Sequence, residues 1–540
     1  MANDVLPFRA AAPAQVTALN DPNNPIKRLM NRRVTGARRD RDRHLPDMRD
    51  VYRYAMPWRH LTDQTQPPTK ALHNIYDETT MYVLEDFAGD MLNIFTPRKN
   101  NWVKLTPGAQ LNQVEQAQIQ ELVRGLQGFV FDRMAESNLY QALQEAYCDL
   151  GVGTMSLLIL DIDATKPVHC ESIPGPDLLL NRGPYGMVDG QFRCRKYNRE
   201  EVEVMWPEAD LSVLGATPEE YADAGMAYIE GIDGCWRDWS DRGTERYHYG
   251  VLTNGNLVQH REYQGPGSCP FITARWSRDA TTAWGFGPTY RTLPATRTLN
   301  YARFLDIKNY EKYVDPPTSY EDDGVLNIDM GIEPGDWIPR AVGSEEPKVI
   351  ESMARFDVAS LERQELRSTI KRAHYQDRPE QLGKTPPTAT QWADEAAERA
   401  RRMGTPATNL VEELQYPLMR RFQRIYAERG TLPTVSLDGR VVQMQPSSAL
   451  LRAQQQEEVV RMDKYAELIA GRFGPQMAIV VIDVVNYAQK MSKLMDIDPN
   501  ITRDADKIAQ AIQQLMPVLQ QVSGGATGQP IAPPPVGAIS

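Results

Sequence analysis

Between residues 75 and 150 the apolar positions recur at steps of three and four, the spacing that gathers side chains on one face of an α-helix. The pattern predicts helices over Ile75–Phe95 and Val114–Leu150. In the second, Ile119, Leu122, Leu126, Phe129 and Val130 form the stripe. Gly151 and Gly153 end it, and the unbroken run Met155–Leu160 reads as a buried strand. Over residues 165–282 the period shortens to β-type runs separated by turn dipeptides. Arg246–Leu252 and Leu257–Tyr263 flank Asn254-Gly255, a pairing that signals a tight hairpin. The first half is therefore mixed α+β.

The second half has a distinctive order. Pro294–Val314 is a helix with an interrupted stripe of Leu299, Ala302, Ile307, Tyr310 and Val314. Residues Asp315–Val349, rich in Pro, Gly and Asp, break into short strands. A second helix follows, with Phe356, Ala359, Leu366, Ile370 and Ala373 on one face. Two helices around a small β-rich insertion describe a stalk carrying a head. After a Pro-rich loop at Arg378–Thr390, a long helical stretch runs from Gln391 to Glu428, loosened at Gly404–Pro406. A short β-like piece, Thr434–Met444, leads to a Gln-rich helical segment at 447–521. The Ala- and Pro-rich residues 1–25 read as a loose arm, and the Gly-, Pro- and Ala-rich tail from Val522 as disordered. No repeat with a period of 20–50 residues is present.

At 540 residues the chain is long enough for three or four structural units. Its 60 Lys and Arg against 71 Asp and Glu, a net charge of -11, exclude a protein that coats nucleic acid by charge alone. Transient contact with DNA stays compatible. One basic stretch stands out: Lys27 to His60 holds eleven Lys and Arg against four Asp. It reads either as a solvated helix face with Asp partners at helical spacing, or as an outward strip that docks on an acidic partner or nucleic acid. Five Cys without a CxxC argue against a disulfide scaffold or a structural zinc site, and for reduced thiols and cytoplasmic synthesis. The start MANDVLPFRAAAPAQ has no secretory pattern. The best apolar runs, Met155–Leu160 and Met477–Val485, fall far short of the roughly 20 residues that cross a bilayer, so no membrane is expected.

Candidate chemistry is thin. Arg378–Thr385, RPEQLGKT, ends like a phosphate-binding P-loop, but Arg378 stands where the first glycine must be and Pro386-Pro387 follow. Gly285-Phe286-Gly287 and Gly151-Val152-Gly153 each lack the third glycine of a dinucleotide fingerprint. Asp161-Ile162-Asp163 reads as a solvated turn after a buried strand rather than a divalent-cation site. The seven His are scattered, and neither HExxH nor GxSxG occurs. The expectation is no catalytic residue, no cofactor and no metal. A DNA-processing enzyme is the rival reading, resting on Gly383-Lys384-Thr385 and Asp161/Asp163.

Tyr54–Trp58, Ile75-Tyr76-Asp77-Glu78-Thr79, Phe95-Thr96-Pro97 with Trp102 and Leu105, and Asp149-Leu150-Gly151 follow one another in an order that resembles the head-to-tail connector, or portal, proteins of short-tailed bacteriophages (podoviruses), with another virion component as the third reading. The resemblance begins at Tyr54. It continues through Cys269-Pro270-Phe271, Arg275-Trp276, Trp284-Gly285-Phe286-Gly287-Pro288, Leu293-Pro294 and Leu299-Asn300. Pro316-Pro317 and Pro334-Gly335 follow. The strongest block is Pro387-Thr388-Ala389-Thr390, Arg402-Met403-Gly404, and Tyr416-Pro417-Leu418 with Arg421 and Phe422. Gly404-Thr405-Pro406 departs from the single Gly-Pro usual in the family, and beyond Ser447 only composition agrees.

The resemblance implies a non-enzymatic ring, usually of twelve subunits, at one capsid vertex of the virion. Double-stranded DNA passes through it non-specifically, driven in by a separate terminase, and is later retained and ejected. Implied partners are further copies of the chain, the terminase large subunit, the major capsid and scaffolding proteins, a tail adaptor and internal ejection proteins. The implied anatomy is a flexible arm (1–26), an α+β wing (27–288), stem helices (289–314 and 352–375) around a clip (315–351), and a tunnel loop (376–390). A long wing helix and return (391–444), a helical crown (445–521) and a disordered tail (522–540) complete it. Arg378 and Lys384 are the loop's basic residues and the candidates to face DNA.

Overall fold

The computed structural model describes residues 21, 23–59, 72–108, 113–162, 167–197, 199–207, 229–240, 243–314, 318–322, 337–341, 356–376, 402–433, 437, 442–447 and 449–473, and four positions between 482 and 491. In chain order the elements are α1 (Pro25–Ala55), α2 (Thr79–Phe95), β1 (Val103–Pro107), α3 (Gln113–Glu136), α4 (Leu139–Val152), β2 (Thr154–Asp161), β3 (Val168–Ile173), β4 (Leu178–Arg182) and β5 (Val188–Tyr197). Then come α5 (Arg199–Met205), β6 (Ile229–Asp238), β7 (Arg246–Thr253), β8 (Asn256–Gln264), β9 (Phe271–Arg275), α6 (Pro288–Arg291), α7 (Leu293–Val314), β10 (Thr318–Asp322) and β11 (Trp337–Ala341). Last are α8 (Phe356–Ala373), α9 (Gly404–Leu410), a π turn (Val411–Gln415), α10 (Tyr416–Glu428), β12 (Val442–Pro446) and α11 (Ala449–Phe473). The chain divides into two compact units. The elements up to β12 lie in the first and α11 in the second, where Lys490 pairs with Glu458 at 3.0 Å. The mixed helix-and-strand class expected of the first half is what forms.

The larger sheet is an antiparallel meander, β4-β5-β6-β7-β8. Phe192, Cys194, Ile232, Trp236, Leu252 and Leu257 share the face that α1 closes with Met30, Val34 and Ala37, one turn or two apart. Each large side chain removed from water there contributes about 1.5–3 kcal/mol. Helix α1 starts where the Asn24 side chain accepts from the Ile26 N–H at 2.9 Å and Pro25 takes the first helical position. The β7–β8 hairpin turns on Asn254 and Gly255 at φ 47° and 80°, the left-handed pair that matches strand twist.

The basic stretch follows its helical-spacing reading only in part. Arg43–Asp40 is such a pair. Arg33 instead reaches Asp189 at 3.4 Å, Arg38 reaches Glu230 at 2.9 Å, Arg41 donates to the Pro176 carbonyl at 3.1 Å, and Arg59, past the end of α1, binds Asp149 at 2.5 Å. Arg33, Arg38 and Arg41 tie α1 to the body, through two acids and a carbonyl on the elements it crosses.

The second sheet is β3-β2-β9, antiparallel, with β2 buried from Thr154 to Ile159 as its apolar run requires. The two Gly-x-Gly motifs meet here. A Cβ on Gly153 would lie 2.2 Å from the Gly285 carbonyl oxygen, and one on Gly287 2.1 Å from that of Gly151. Hydrogen bonds from Gly287 N–H to Val152 O and from Trp276 N–H to Gly153 O, both 2.9 Å, stitch the two backbones together. The motifs are a close-approach junction between chain segments.

Three boundaries differ from the periodicity. The expected helix Val114–Leu150 breaks at Ser137-Asn138, because the Asn138 amide pairs with both backbone groups of Cys170, at 2.7 and 2.9 Å. Ile75–Asp77 stay outside α2, since the Asn300 side chain takes the N–H groups of Tyr76 and Asp77. The β-like piece expected to end at Met444 runs on to Pro446 as β12, where β1 provides an antiparallel edge from Val103 to Pro107; residues 434–436 and 438–441 lie outside the described residues. Residues 1–20, 377–401 and 492–540, with most of 315–355 and of 474–491, lie outside the described residues. The expectations for the arm, the tail and much of the clip fall there.

Candidate functional site

The helix–insertion–helix order is present. Between α7 and α8, strands β10 and β11 pair in parallel from Thr318↔Trp337 to Asp322↔Ala341. At the end nearest the sheets, Leu299 and Ile370 pack on Val83 of α2, with Ala295 and Leu366 beside them. Polar side chains lock the same end. Arg363 of α8 pairs with Asp306 of α7, and both are largely buried. Arg367 reaches Asp77 at 2.6 Å, and Thr80 meets Thr296 at 3.1 Å. Against the cost of its burial, bonds from Thr79 and Arg367 hold the Asp77 carboxyl below its ordinary range.

His374, fully buried one residue past α8, has one ring nitrogen on the Thr289 hydroxyl and the other on the Ile370 carbonyl, both at 2.8 Å. The carbonyl can only accept, so His374 donates to it and accepts from Thr289. Burial pulls its pKa down to about 4, so it is neutral at physiological pH.

Further along, side chains of the helix pair are exposed. The expected α7 stripe divides: Leu299 is buried, but Tyr310 and Val314 are exposed, as is Tyr313, with Leu361 on α8; Tyr301 and Leu305, before Asp306, are exposed as well. Tyr313 and Val314 keep 72% and 80% of their surface. Within one chain, no described element covers them.

Past α8 the chain turns at Tyr375, φ 63°, and the Gln376 N–H closes the helix end on Lys371 O at 2.8 Å. The Tyr375 ring lies 5.8 Å from that of Trp276, and the Gln376 side chain donates to Asp90 at 2.9 Å. Where description resumes, Asn409 donates to the Trp276 carbonyl at 3.4 Å. Glu413, in the π turn, accepts from the Arg275 N–H at 3.0 Å and from its guanidinium at 2.6 Å. The described residues on either side, Tyr375 before and Asn409 and Glu413 after, thus meet the same pair, Arg275-Trp276. Arg378, Lys384 and Gly383-Lys384-Thr385 lie outside the described residues. The π turn was not legible in the periodicity. Pro417 has no N–H for the carbonyl four residues back and crowds it, and a wider turn just before it relieves both.

Asp161 is not the solvated carboxylate expected. It ends β2 and takes both arms of Arg429, one at 3.0 Å. Asp163 lies outside the described residues. The sequence reading also missed two clusters. Asp149, wholly buried, accepts from the Tyr52 hydroxyl at 2.6 Å and from Arg59, and burial raises its pKa. His248, His260 and Glu262 converge across the hairpin. The sequence signal for the latter was a His-x-Glu pair opposite a His at matching distance from Asn254-Gly255.

No curated protein matches the chain. Among solved structures, it is similar to a chain of one described as "Virion of native gene transfer agent (GTA) particle", with TM-score 0.35 and 11% identity, covering 77% of this chain and 92% of that one. Another, "Neck of empty GTA particle computed with C6 symmetry", gives TM-score 0.33 and 11% identity over 75% of this chain and 91% of that one. At the level of sequence family the match is extensive. Residues 27–502 fit the family described as Bacteriophage head to tail connecting protein, and the chain belongs to that family.

Proposed function

We propose that the chain is the portal subunit of a short-tailed phage. Twelve copies form a ring at one capsid vertex; double-stranded DNA is packaged through it by terminase, retained and ejected; and the tail attaches to it. The observation that carries this reading is the bare outer half of the α7–α8 pair. Helices locked by ion pairs at one end and lined with exposed Tyr, Leu and Val at the other need a covering surface, and identical neighbours in a ring supply one. In this reading residues 27–288 are the wing, 289–314 and 352–375 the stem, 315–351 the clip, 391–444 the long wing helix and return, and 445–521 the crown. Residues 376–390, held at one end by Gln376, are the tunnel loop, with Arg378 and Lys384 toward DNA. A conduit must let DNA slide, and an acidic ring with few basic contacts provides weak, sequence-blind binding.

End-on negative-stain images of the purified protein, with light scattering at physiological salt, test the ring directly. Rings with a central channel are expected. A monomer at high concentration would refute the reading. Because each copy carries -11, assembly should weaken as salt is removed and repulsion is less screened.

A further inference from the structure

The portal reading leaves one cluster of side chains without a role. It lies near the open end of the β7–β8 hairpin, on the sheet face that α1 covers. The register pairs Trp236 with His248, His248 with Glu262, and Gly250 with His260, so these side chains share one side. Trp236, His248 and His260 stack in a row, with ring centroids 5.5 and 5.3 Å apart and planes within 28°. The stack aims Nδ1 of His248 at Nε2 of His260, 3.1 Å away. A Glu262 carboxylate oxygen lies 3.8 Å from the same Nδ1. One donor atom from each of the three lies within 4.8 Å of the others.

We propose that His248, His260 and Glu262 bind a zinc ion that clamps β7 to β8, with the fourth position open to water. A tetrahedral ion with bonds of about 2.0–2.1 Å to nitrogen separates its donors by about 3.3–3.4 Å. The imidazole pair needs to open by a few tenths of an ångström and the carboxylate to close on His248 by about half an ångström; its separation from His260, which is within 4.8 Å, has to shrink to the same value. Glu262 is 60% exposed and free to make that movement. A second observation points the same way. Once Nδ1 of His248 holds the ion, its other nitrogen faces Asp238 across 3.8 Å, the carboxylate–histidine pairing that orients metal-bound imidazoles. Two nitrogens and one carboxylate favour zinc over magnesium, which takes oxygen donors.

The test uses the full-length protein, stripped with EDTA and freed of chelator, then titrated with zinc by calorimetry with and without excess magnesium. One zinc per chain, undisturbed by magnesium, is expected. His260→Gln and Glu262→Gln should each weaken binding roughly tenfold or more, and Asp238→Asn roughly tenfold through the lost orientation. Cobalt substitution should produce the strong visible absorption of a four-coordinate site, absent in His260→Gln. Glu262→Gln changes an exposed side chain and keeps the test valid if a histidine variant misfolds. No zinc uptake by the parent, or affinities in the glutamine variants equal to the parent's, would overturn the proposal.

Discussion

Replacing Gly287 with alanine isolates the junction between the two Gly-x-Gly motifs. The backbone at Gly287, φ -91° and ψ 177°, suits any residue, so the change carries no conformational penalty and its effect is steric. The new Cβ would lie 2.1 Å from the Gly151 oxygen and 2.7 Å from two carbonyl carbons, all backbone atoms that cannot rotate away. Relief requires the segments to part by more than an ångström, which breaks the 2.9 Å bond from Gly287 N–H to Val152 O and strains that from Trp276 N–H to Gly153 O. Overpacking of this kind costs about 1–3 kcal/mol and the buried bond lost about 1 kcal/mol more, for a total of about 2–4 kcal/mol. Trp276 and Trp284 are buried beside the junction and report on it by fluorescence. With a urea slope of about 3 kcal/mol/M, the midpoint should fall by roughly 0.7–1.3 M. Gly36→Ala is the control. It lies within α1 with nothing within 4 Å of a Cβ, and should stabilise by about 0.5–1 kcal/mol. A Gly287→Ala midpoint indistinguishable from the parent would refute the close-approach argument.

Asp149→Ala strands the buried Arg59 guanidinium and Tyr52 hydroxyl and should cost about 3–5 kcal/mol in the same denaturation assay; a loss below about 1 kcal/mol would show that water replaces the carboxylate. His374 falls from 6.5 to about 4 on folding, so the unfolded chain binds the extra proton. Stability contributed by its neutral form is present above pH 6.5 and lost as pH falls toward 4, reaching about 2 kcal/mol at pH 5. Urea midpoints between pH 7 and 5 should decline less in His374→Asn, and equal slopes would sink the assignment. In proheads, replacing Arg378 and Lys384 together by Glu should slow packaging or impair retention, through exposed contacts worth on the order of 1 kcal/mol or less each. Parent-like rate, completeness and retention would remove the loop from the DNA path.

Local signals in the sequence were reliable where burial and turn geometry act within a few residues. The run Met155–Leu160 became the buried core of β2, Asn254-Gly255 became the hairpin turn, and the helix–insertion–helix order appears as α7, β10, β11 and α8. The order of short motifs also carried the family, since spacing over hundreds of residues is a property of sequence alone. Tertiary structure decided what depends on residues far apart in the chain. Asn138 ended a helix because Cys170 lay beside it, and Asn300 kept Tyr76 and Asp77 out of one. Arg33 and Arg38 of the basic stretch found their acids more than a hundred residues away, and Asp161 found Arg429. Two Gly-x-Gly motifs that look like incomplete nucleotide loops were shaped by each other's backbones, a constraint with no signature in either motif alone. Three ordinary residues, His248, His260 and Glu262, share a site because strand pairing has period two and the hairpin set the register. Periodicity shows which side of an element is apolar; only the fold shows what that side meets.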